Sequence, residues 1–151
     1  MGVTGKYVGP PGVQIIIDTT PGYGHFDRSI PYAEPPVGKL RFAKPQPIIT
    51  PIKMRLNLKI HAFNPMHIWT ANVETNNPSK DVKLKPVMFY IHGGGLSGGS
   101  VFSQDISVLA TNGVVFASTS YRLGQLGFLY GDREDAPGNV GFHDQLLALK
   151  W

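Results

Sequence analysis

The sequence predicts an α/β fold with a mostly parallel central sheet, on the evidence of two strand patterns and a helix pattern between them. Val87–His92 and Val114–Ser120 are apolar, aromatic or small almost throughout, which is typical of fully buried strands. Asp105–Thr111 has the pattern of a short helix and ends at Asn112-Gly113, a common C-terminal signal. A strand, a helix and a strand in this order form a βαβ-like unit with parallel strands.

The N-terminal third predicts a β-hairpin followed by a long loop. Thr4–Val8 and Val13–Ile17 are β-prone and are separated by Gly-Pro-Pro-Gly, which is a turn signal. Six prolines within residues 25–51 exclude a helix there, because each proline removes a backbone donor and favours extended geometry before it. We expect this segment to be a surface loop, held by the side chains of Ile30, Tyr32, Leu40 and Phe42.

The segments between residue 54 and the C-terminus that are not covered above also have patterns that predict their structure. Met54–Phe63 alternates loosely between apolar and polar residues, which indicates a strand, and His67-Ile68-Trp69 indicates a strand end. Tyr121–Asn139 is expected to be loop. The clearest helix follows, with Asn139 as its predicted cap and an apolar face at the i, i+4 and i+7 positions, formed by Phe142, Leu146 and Leu149.

Composition excludes several classes of protein. The net charge of +4 is spread out, with no run of more than two like charges, so nucleic-acid binding is not expected. The absence of cysteine excludes disulfides, thiol catalysis and thiolate metal sites, and the five histidines have no metal-ligand spacing. There is no apolar stretch of 18 residues that would predict a membrane span, and no apolar signal-peptide region at the N-terminus.

The most informative stretch is KPVMFYIHGGGLSGGS at residues 85–100, where a predicted strand ends in three glycines. Bare backbone at the end of a strand suggests that N–H groups are offered to a ligand. A phosphate loop would need a lysine that is missing here, and the Gly-x-Gly-x-x-Gly match is weak where glycines are crowded. The order His-Gly-Gly-Gly after a strand fits the oxyanion loop of lipases and esterases. A tight turn without a ligand remains an alternative for Gly93–Gly95.

The chain resembles the start of the type-B carboxylesterases, the cholinesterase-like α/β-hydrolases, in four segments that occur in the family order. These are IPYAEPPVGKLRF (30–42), KPVMFYIHGGGLSGGS (85–100), SYRLGQLGFL (120–129) and APGNVGFHDQLLALKW (136–151). The resemblance implies an α/β-hydrolase fold, a Ser-Glu-His triad, hydrolysis of small carboxylic esters without a cofactor, and secretion or attachment to the cell surface. Family members are several times longer, so residues 1–151 are expected to be the N-terminal part of one such domain. Nothing in the sequence predicts an oligomeric state.

The resemblance implies roles for only a few residues of this chain. Gly94 and Gly95 match the positions whose backbone N–H groups stabilise the oxyanion, and Gly93 is expected to allow the turn. His92 is expected to orient this loop. The third donor and the triad are expected after Trp151, because the nucleophile lies in a later strand-to-helix turn and the acid and histidine follow it.

Four other residues are expected to have no catalytic role. Ser97 lies in a Gly-x-Ser-x-Gly match (95–99), but it follows the glycines instead of the strand, so it is not expected to be the nucleophile. Arg122 lies in the family's Tyr-Arg-Leu-Gly turn, where it is expected to pair with a glutamate that precedes a cysteine. Asp144 and Gln145 match a family pair for which hydrogen bonding is expected, not catalysis.

The chain departs from the family between residues 43 and 85, which indicates an internal deletion. The cysteine loop and its acidic pair are missing there, together with the expected partner of Arg122 and the choline-binding tryptophan, so cholinesterase specificity is not expected. Trp69 is expected to be a packing residue. An unpaired sheet edge would also follow, and it would favour aggregation. The sequence leaves two functions: an ester hydrolase represented by its N-terminal part and expected to be inactive alone, or a non-catalytic cholinesterase-like binding or adhesion protein.

Overall fold

A computed structural model describes residues 3–8, 14–19, 30–48, 65–70, 85–103, 109 and 112–151. The strands are β1 (Val3–Val8), β2 (Gln14–Thr19), β3 (Ile30–Pro31), β4 (Pro65–Thr70), β5 (Val87–Ile91), β6 (Val115–Thr119), β7 (Tyr130–Arg133) and β8 (Ala136–Pro137). The helices are α1 (Gly124–Phe128) and α2 (Val140–Lys150), with 3-10 turns at Gly38–Leu40 and Val101–Ser103. The predicted strand Met54–Phe63 lies outside the described residues, as does nearly all of the predicted helix Asp105–Thr111.

The N-terminal hairpin and the proline-rich loop are confirmed. Strands β1 and β2 pair antiparallel, from Val3 opposite Thr19 to Val8 opposite Gln14. In the described residues 30–48, regular structure is limited to the two-residue β3 and one 3-10 turn. Of the four predicted anchors, Ile30 and Tyr32 are buried, while Leu40 and Phe42 are half-buried.

The central sheet has four described strands in the order β3-β4-β6-β5 and is mixed, not mostly parallel as the sequence predicted. Strands β5 and β6 do run parallel, as the βαβ-like pattern indicated. Strand β4 pairs antiparallel with both of its neighbours. The residues His67–Trp69, predicted as a strand end, instead belong to the interior of β4, and this strand separates β3 from β6.

Hydrophobic clusters lie on both faces of this sheet. On one face α2 packs through Ala148 against Met66 and Ala117, next to Tyr32. On the other face Trp69 contacts Phe116 edge-on, with ring centroids 5.7 Å apart. Trp69 is therefore the packing residue that the sequence predicted. The two clusters fix the sheet between α2 and the aromatic side chains, and they place the ends of β5 and β6 next to each other.

Strand β5 is not fully buried, contrary to the sequence prediction. Val87 is 66% exposed, and Met88 and Ile91 are also exposed. The physical reason is position: among the described strands β5 pairs only with β6, so it forms an edge of the sheet. Its apolar composition is suited to burial, but full burial would also require a neighbouring element along the other edge of the strand.

The orientation of α2 also differs from the prediction. The apolar stripe of Phe142, Leu146 and Leu149 is exposed, and the side of the helix that faces the protein carries Val140, Gly141, Asp144 and Ala148. Asn139 is the N-cap residue of the helix, as predicted, but it adopts the left-handed conformation (φ +55°) and its side chain makes no cap hydrogen bond. Its backbone carbonyl instead accepts from the N–H of Phe142 at 3.0 Å.

The exposed apolar residues of β5 and α2 predict that the purified chain associates or is partly unfolded. An edge strand with free backbone groups and apolar side chains is a template for pairing with another chain. We expect light scattering after gel filtration to detect oligomers or aggregates, and Val87→Lys combined with Leu149→Lys to raise the soluble fraction. A monodisperse wild-type monomer that unfolds in one cooperative transition would contradict this expectation.

Candidate functional site

The glycine loop, defined here as residues 93–99, begins where β5 ends and turns back on itself. Gly94, Gly95 and Leu96 have φ angles of +126°, +60° and +61°, and Gly99 has +116°. L-residues rarely adopt such angles, so glycine is the natural residue at these positions. Leu96 adopts one of them without that freedom, which indicates a loop held firmly by its surroundings.

Close packing explains two of these glycines. A Cβ atom on Gly94 would overlap the carbonyl oxygen of Gly98, and one on Gly99 would overlap that of Gly93 and lie 2.6 Å from Nδ1 of His92. Gly93 itself has no positive φ, and a Cβ there would meet open space. The sequence assigned the turn to Gly93, but the turn is made at the three residues that follow it.

The carbonyl groups of Gly93 and Gly94 are both held by hydrogen bonds. Nδ1 of the His92 imidazole donates to the Gly93 oxygen at 2.9 Å, because a carbonyl oxygen can only accept. The Gly94 oxygen accepts from the backbone N–H groups of Gly98 at 3.1 Å and Ser97 at 3.2 Å. A peptide group is planar, so fixing its oxygen also fixes the direction of its N–H. These two peptide groups carry the N–H of Gly94 and the N–H of Gly95.

Within the described part of the chain, the N–H groups of Gly94 and Gly95 donate no hydrogen bond, and both glycines are exposed to solvent. Backbone donors without a partner are satisfied by water or by a ligand with acceptor atoms. Two neighbouring donors with fixed directions can stabilise negative charge on an oxygen atom that approaches both of them.

Ser97 lies in the tight turn of the glycine loop and not at a strand-to-helix elbow. Its hydroxyl is exposed and donates weakly to the Gly94 carbonyl at 3.4 Å. A nucleophilic serine needs a base within hydrogen-bond reach of its oxygen. No histidine or carboxylate in the described residues makes such a contact with Ser97. The sequence likewise predicted that Ser97 is not the nucleophile.

His92 is buried beside Tyr121, a contact that sequence reasoning missed. The two rings stack with centroids 4.6 Å apart, and the Tyr121 hydroxyl donates to the His92 carbonyl at 2.8 Å. Burial, and to a smaller extent Tyr90, raises the pKa of Tyr121, so its hydroxyl keeps its proton at neutral pH. The two residues are 29 positions apart, and no motif spacing points to their contact.

Arg122 pairs with Asp144 of α2 in place of the missing glutamate that the resemblance implies. Its Nε and one terminal nitrogen donate to the two carboxylate oxygens of Asp144 at 2.8 and 2.7 Å, and its backbone N–H adds a third bond at 3.0 Å. The other terminal nitrogen reaches three carbonyls of the proline-rich loop, those of Leu40, Arg41 and Ala43. Asp144 is fully buried, so its role is structural, as the sequence indicated.

Tyr32 adds a further link beside this pair. Its hydroxyl donates to the carbonyl of Ser120 at 2.8 Å, directly before Tyr121. Burial, followed by the negative charge of Asp144, raises the pKa of Tyr32 well above its ordinary value, so the phenol remains a donor. In the described residues no cluster of histidine and acidic side chains could hold a metal ion, and no helix is long and apolar enough to cross a membrane.

Comparison with known proteins identifies the family. The model of the Carboxylesterase family matches residues 12–151. Acetylcholinesterase-1 of Trittame loki is 37% identical over 149 residues, which cover 81% of this chain and 26% of that protein. A pyrethroid hydrolase of Mus musculus is 36% identical over 159 residues, covering 89% of this chain and 28% of that protein. The chain therefore spans about a quarter of the length of these curated relatives.

Solved structures give the same result. The carboxylesterase of Geobacillus stearothermophilus superposes with a TM-score of 0.62 at 31% identity, covering 83% of this chain and 29% of that one. Juvenile hormone esterase of Manduca sexta superposes with a TM-score of 0.64 at 28% identity, covering 83% and 27%. The described mixed sheet and its helices are part of an α/β fold of this kind. Sequence, family match and fold agree, and the chain belongs to the carboxylesterase family.

Proposed function

We propose that this chain provides the oxyanion-binding loop of a carboxylic ester hydrolase. The observation that carries the proposal is the pair of exposed N–H groups of Gly94 and Gly95, which donate to no described residue and whose peptide groups are fixed through their carbonyl oxygens. Attack on an ester carbonyl places negative charge on its oxygen. Donors already in position stabilise that charge without reorganisation, and each is worth about 2.7–4 kcal/mol.

The proposal divides the chemistry between this chain and residues that it does not contain. Residues 1–151 form the N-terminal part of one carboxylesterase domain, and the nucleophile, acid and histidine lie outside them. The substrate is a small-molecule carboxylic ester, and the reaction needs no cofactor. A non-catalytic binding protein, the alternative from the sequence, has no need for two fixed donors that no described residue uses, so the hydrolase is favoured.

The chain of 151 residues should not turn over esters by itself. Because Ser97 has no base among the described residues and its hydroxyl is bonded to backbone, we expect hydrolysis of a short-chain nitrophenyl ester to remain at the buffer rate. The matched control is Ser97→Ala, which should give the same rate as wild type. Turnover that is lost in Ser97→Ala would contradict both the assignment of Ser97 and the division of the chemistry.

The oxyanion role itself is tested in a longer product of the same gene. Its sequence should contain Gly-Glu-Ser-Ala-Gly downstream of Trp151, and that product should hydrolyse nitrophenyl esters. We expect Gly94→Ala to lower kcat about 100- to 1,000-fold, because the Cβ would displace the Gly94 donor. Gly93→Ala meets open space and should leave kcat nearly unchanged. A serine replaced in the motif, or equal kcat in both variants, would contradict the proposal.

A further inference from the structure

We propose that Tyr121 is a positioning residue for the Gly94 oxyanion donor, acting through His92. The inference rests on the proposed function, since it assigns the purpose of the loop geometry to the N–H groups of Gly94 and Gly95. Tyr121 is 6% exposed and lies on the segment between β6 and α1, whereas the glycine loop follows β5. It therefore connects the ends of the two parallel strands.

The first contact is the hydrogen bond from the Tyr121 hydroxyl to the His92 carbonyl at 2.8 Å. This carbonyl belongs to the peptide group that also carries the N–H of Gly93, at the junction of strand and loop. Holding the oxygen fixes the plane of this peptide group and so the direction in which the chain leaves β5. The bond is buried, where losing it would leave an unpaired carbonyl.

The second contact is the stacking of the Tyr121 ring on the His92 imidazole, at 4.6 Å and an interplanar angle of 21°. Stacking restricts rotation of the imidazole, and the imidazole donates through Nδ1 to the Gly93 carbonyl at 2.9 Å. That carbonyl shares a peptide group with the N–H of Gly94. One tyrosine thus restrains two consecutive peptide groups, one through its hydroxyl and one through its ring.

Tyr121 is itself anchored on both sides. The backbone N–H of the next residue, Arg122, donates to the buried Asp144 carboxylate at 3.0 Å. Two residues after Arg122, the N–H of Gly124 donates to the carbonyl of Leu96 at 2.7 Å, in the middle of the glycine loop. The segment from Tyr121 to Gly124 therefore contacts the loop at its beginning and at its tip, and it is fixed to α2 between these contacts.

The test uses the full chain with Val87→Lys and Leu149→Lys, the substitutions expected to raise its soluble fraction, labelled with 15N and 13C. It measures backbone order parameters of the Gly93 and Gly94 amides together with the His92 carbonyl shift. With Tyr121 in place both values should be rigid, near 0.85. Tyr121→Phe keeps the ring and should lower the Gly93 value towards 0.6, whereas Tyr121→Ala, which removes both contacts, should lower the Gly94 value as well. The His92 carbonyl should move to the value of an unbonded carbonyl. Tyr130→Phe is the matched control, because the Tyr130 hydroxyl is exposed and bonds only Asp132 among the described residues.

A second variant separates positioning from general stability. With 4-aminophenylalanine at position 121, a donor is restored at the same place, and order parameters and carbonyl shift should return to wild-type values. Amides of α2 should be unchanged in all variants. Flexible Gly93 and Gly94 amides with Tyr121 in place would overturn both this proposal and the proposed function, which needs fixed donors. No change in the Tyr121 variants, or no recovery with the amino analogue, would overturn this proposal and leave the proposed function standing.

Discussion

Replacing Arg122 by alanine should destabilise the protein by about 3–5 kcal/mol, the usual cost of removing one partner of a buried ion pair. The Asp144 carboxylate, which is fully buried, would lose its two side-chain donors, and three carbonyls of the proline-rich loop would lose theirs. Arg122→Lys should retain only part of the stability that is lost in Arg122→Ala, because an ammonium group cannot form the same planar two-point contact. Hydrogen exchange of β6 and α2 amides is the measurement, since it does not require a single unfolding transition.

The control for this experiment is Arg133→Ala. Arg133 also forms a two-point contact with a carboxylate, that of Asp135, at 2.8 and 2.9 Å. Both side chains are exposed, so water replaces the lost contact, and no measurable change in exchange is expected. Equal effects of Arg122→Ala and Arg133→Ala would refute the structural role that we assign to the buried pair.

Gly99→Ala should disrupt the glycine loop, even though Gly99 is not one of the proposed donors. Its φ of +116° is strained for alanine, at a cost of about 1–3 kcal/mol. The added Cβ would also overlap the Gly93 carbonyl and crowd the His92 ring, 2.6 Å from Nδ1. Because that nitrogen orients the Gly93 carbonyl, we expect the amide resonances of Gly94 and Gly95 to shift or broaden.

Gly93→Ala is the matched comparison, since it lies in the same glycine run but has an ordinary φ and open space around the new methyl group. Its amide spectrum should resemble that of wild type outside the substituted position. If alanine were tolerated at Gly99 but not at Gly93, the turn would lie where the sequence alone had placed it, and the loop geometry described above would be incorrect.

Local patterns allowed several elements to be predicted from sequence. The Gly-Pro-Pro-Gly turn between β-prone segments gave the hairpin, and the β5–β6 parallel pair was foreseen from two strands around a helix pattern. What could not be predicted depends on distant neighbours. The antiparallel pairing of β4 can be predicted only if its partner strands are known. Strand β5 was predicted to be buried because composition does not reveal that a strand lies at a sheet edge.

The helix α2 illustrates the same limit. Its apolar stripe predicted the buried face, yet the face that is buried contains Asp144, because three hydrogen bonds from Arg122 and an opposite charge make burial of this carboxylate favourable. At the candidate site, His-Gly-Gly-Gly located the loop, but the restraints on it come from Tyr121 and from the imidazole ring. Neither restraint has a sequence signature, because each depends on chain segments that meet only in the fold.

The contacts of Arg122 also have a consequence for the order of folding. This one side chain joins segments separated by 79 to 82 residues on one side and 22 on the other. Contacts of such long sequence separation are slow to form, because the entropy of closing the intervening chain is lost before the contact is gained. We therefore expect the proline-rich loop to dock only after β6 and α2 have come into contact. Its docking should be among the last steps of folding, and the first to reverse when the chain opens.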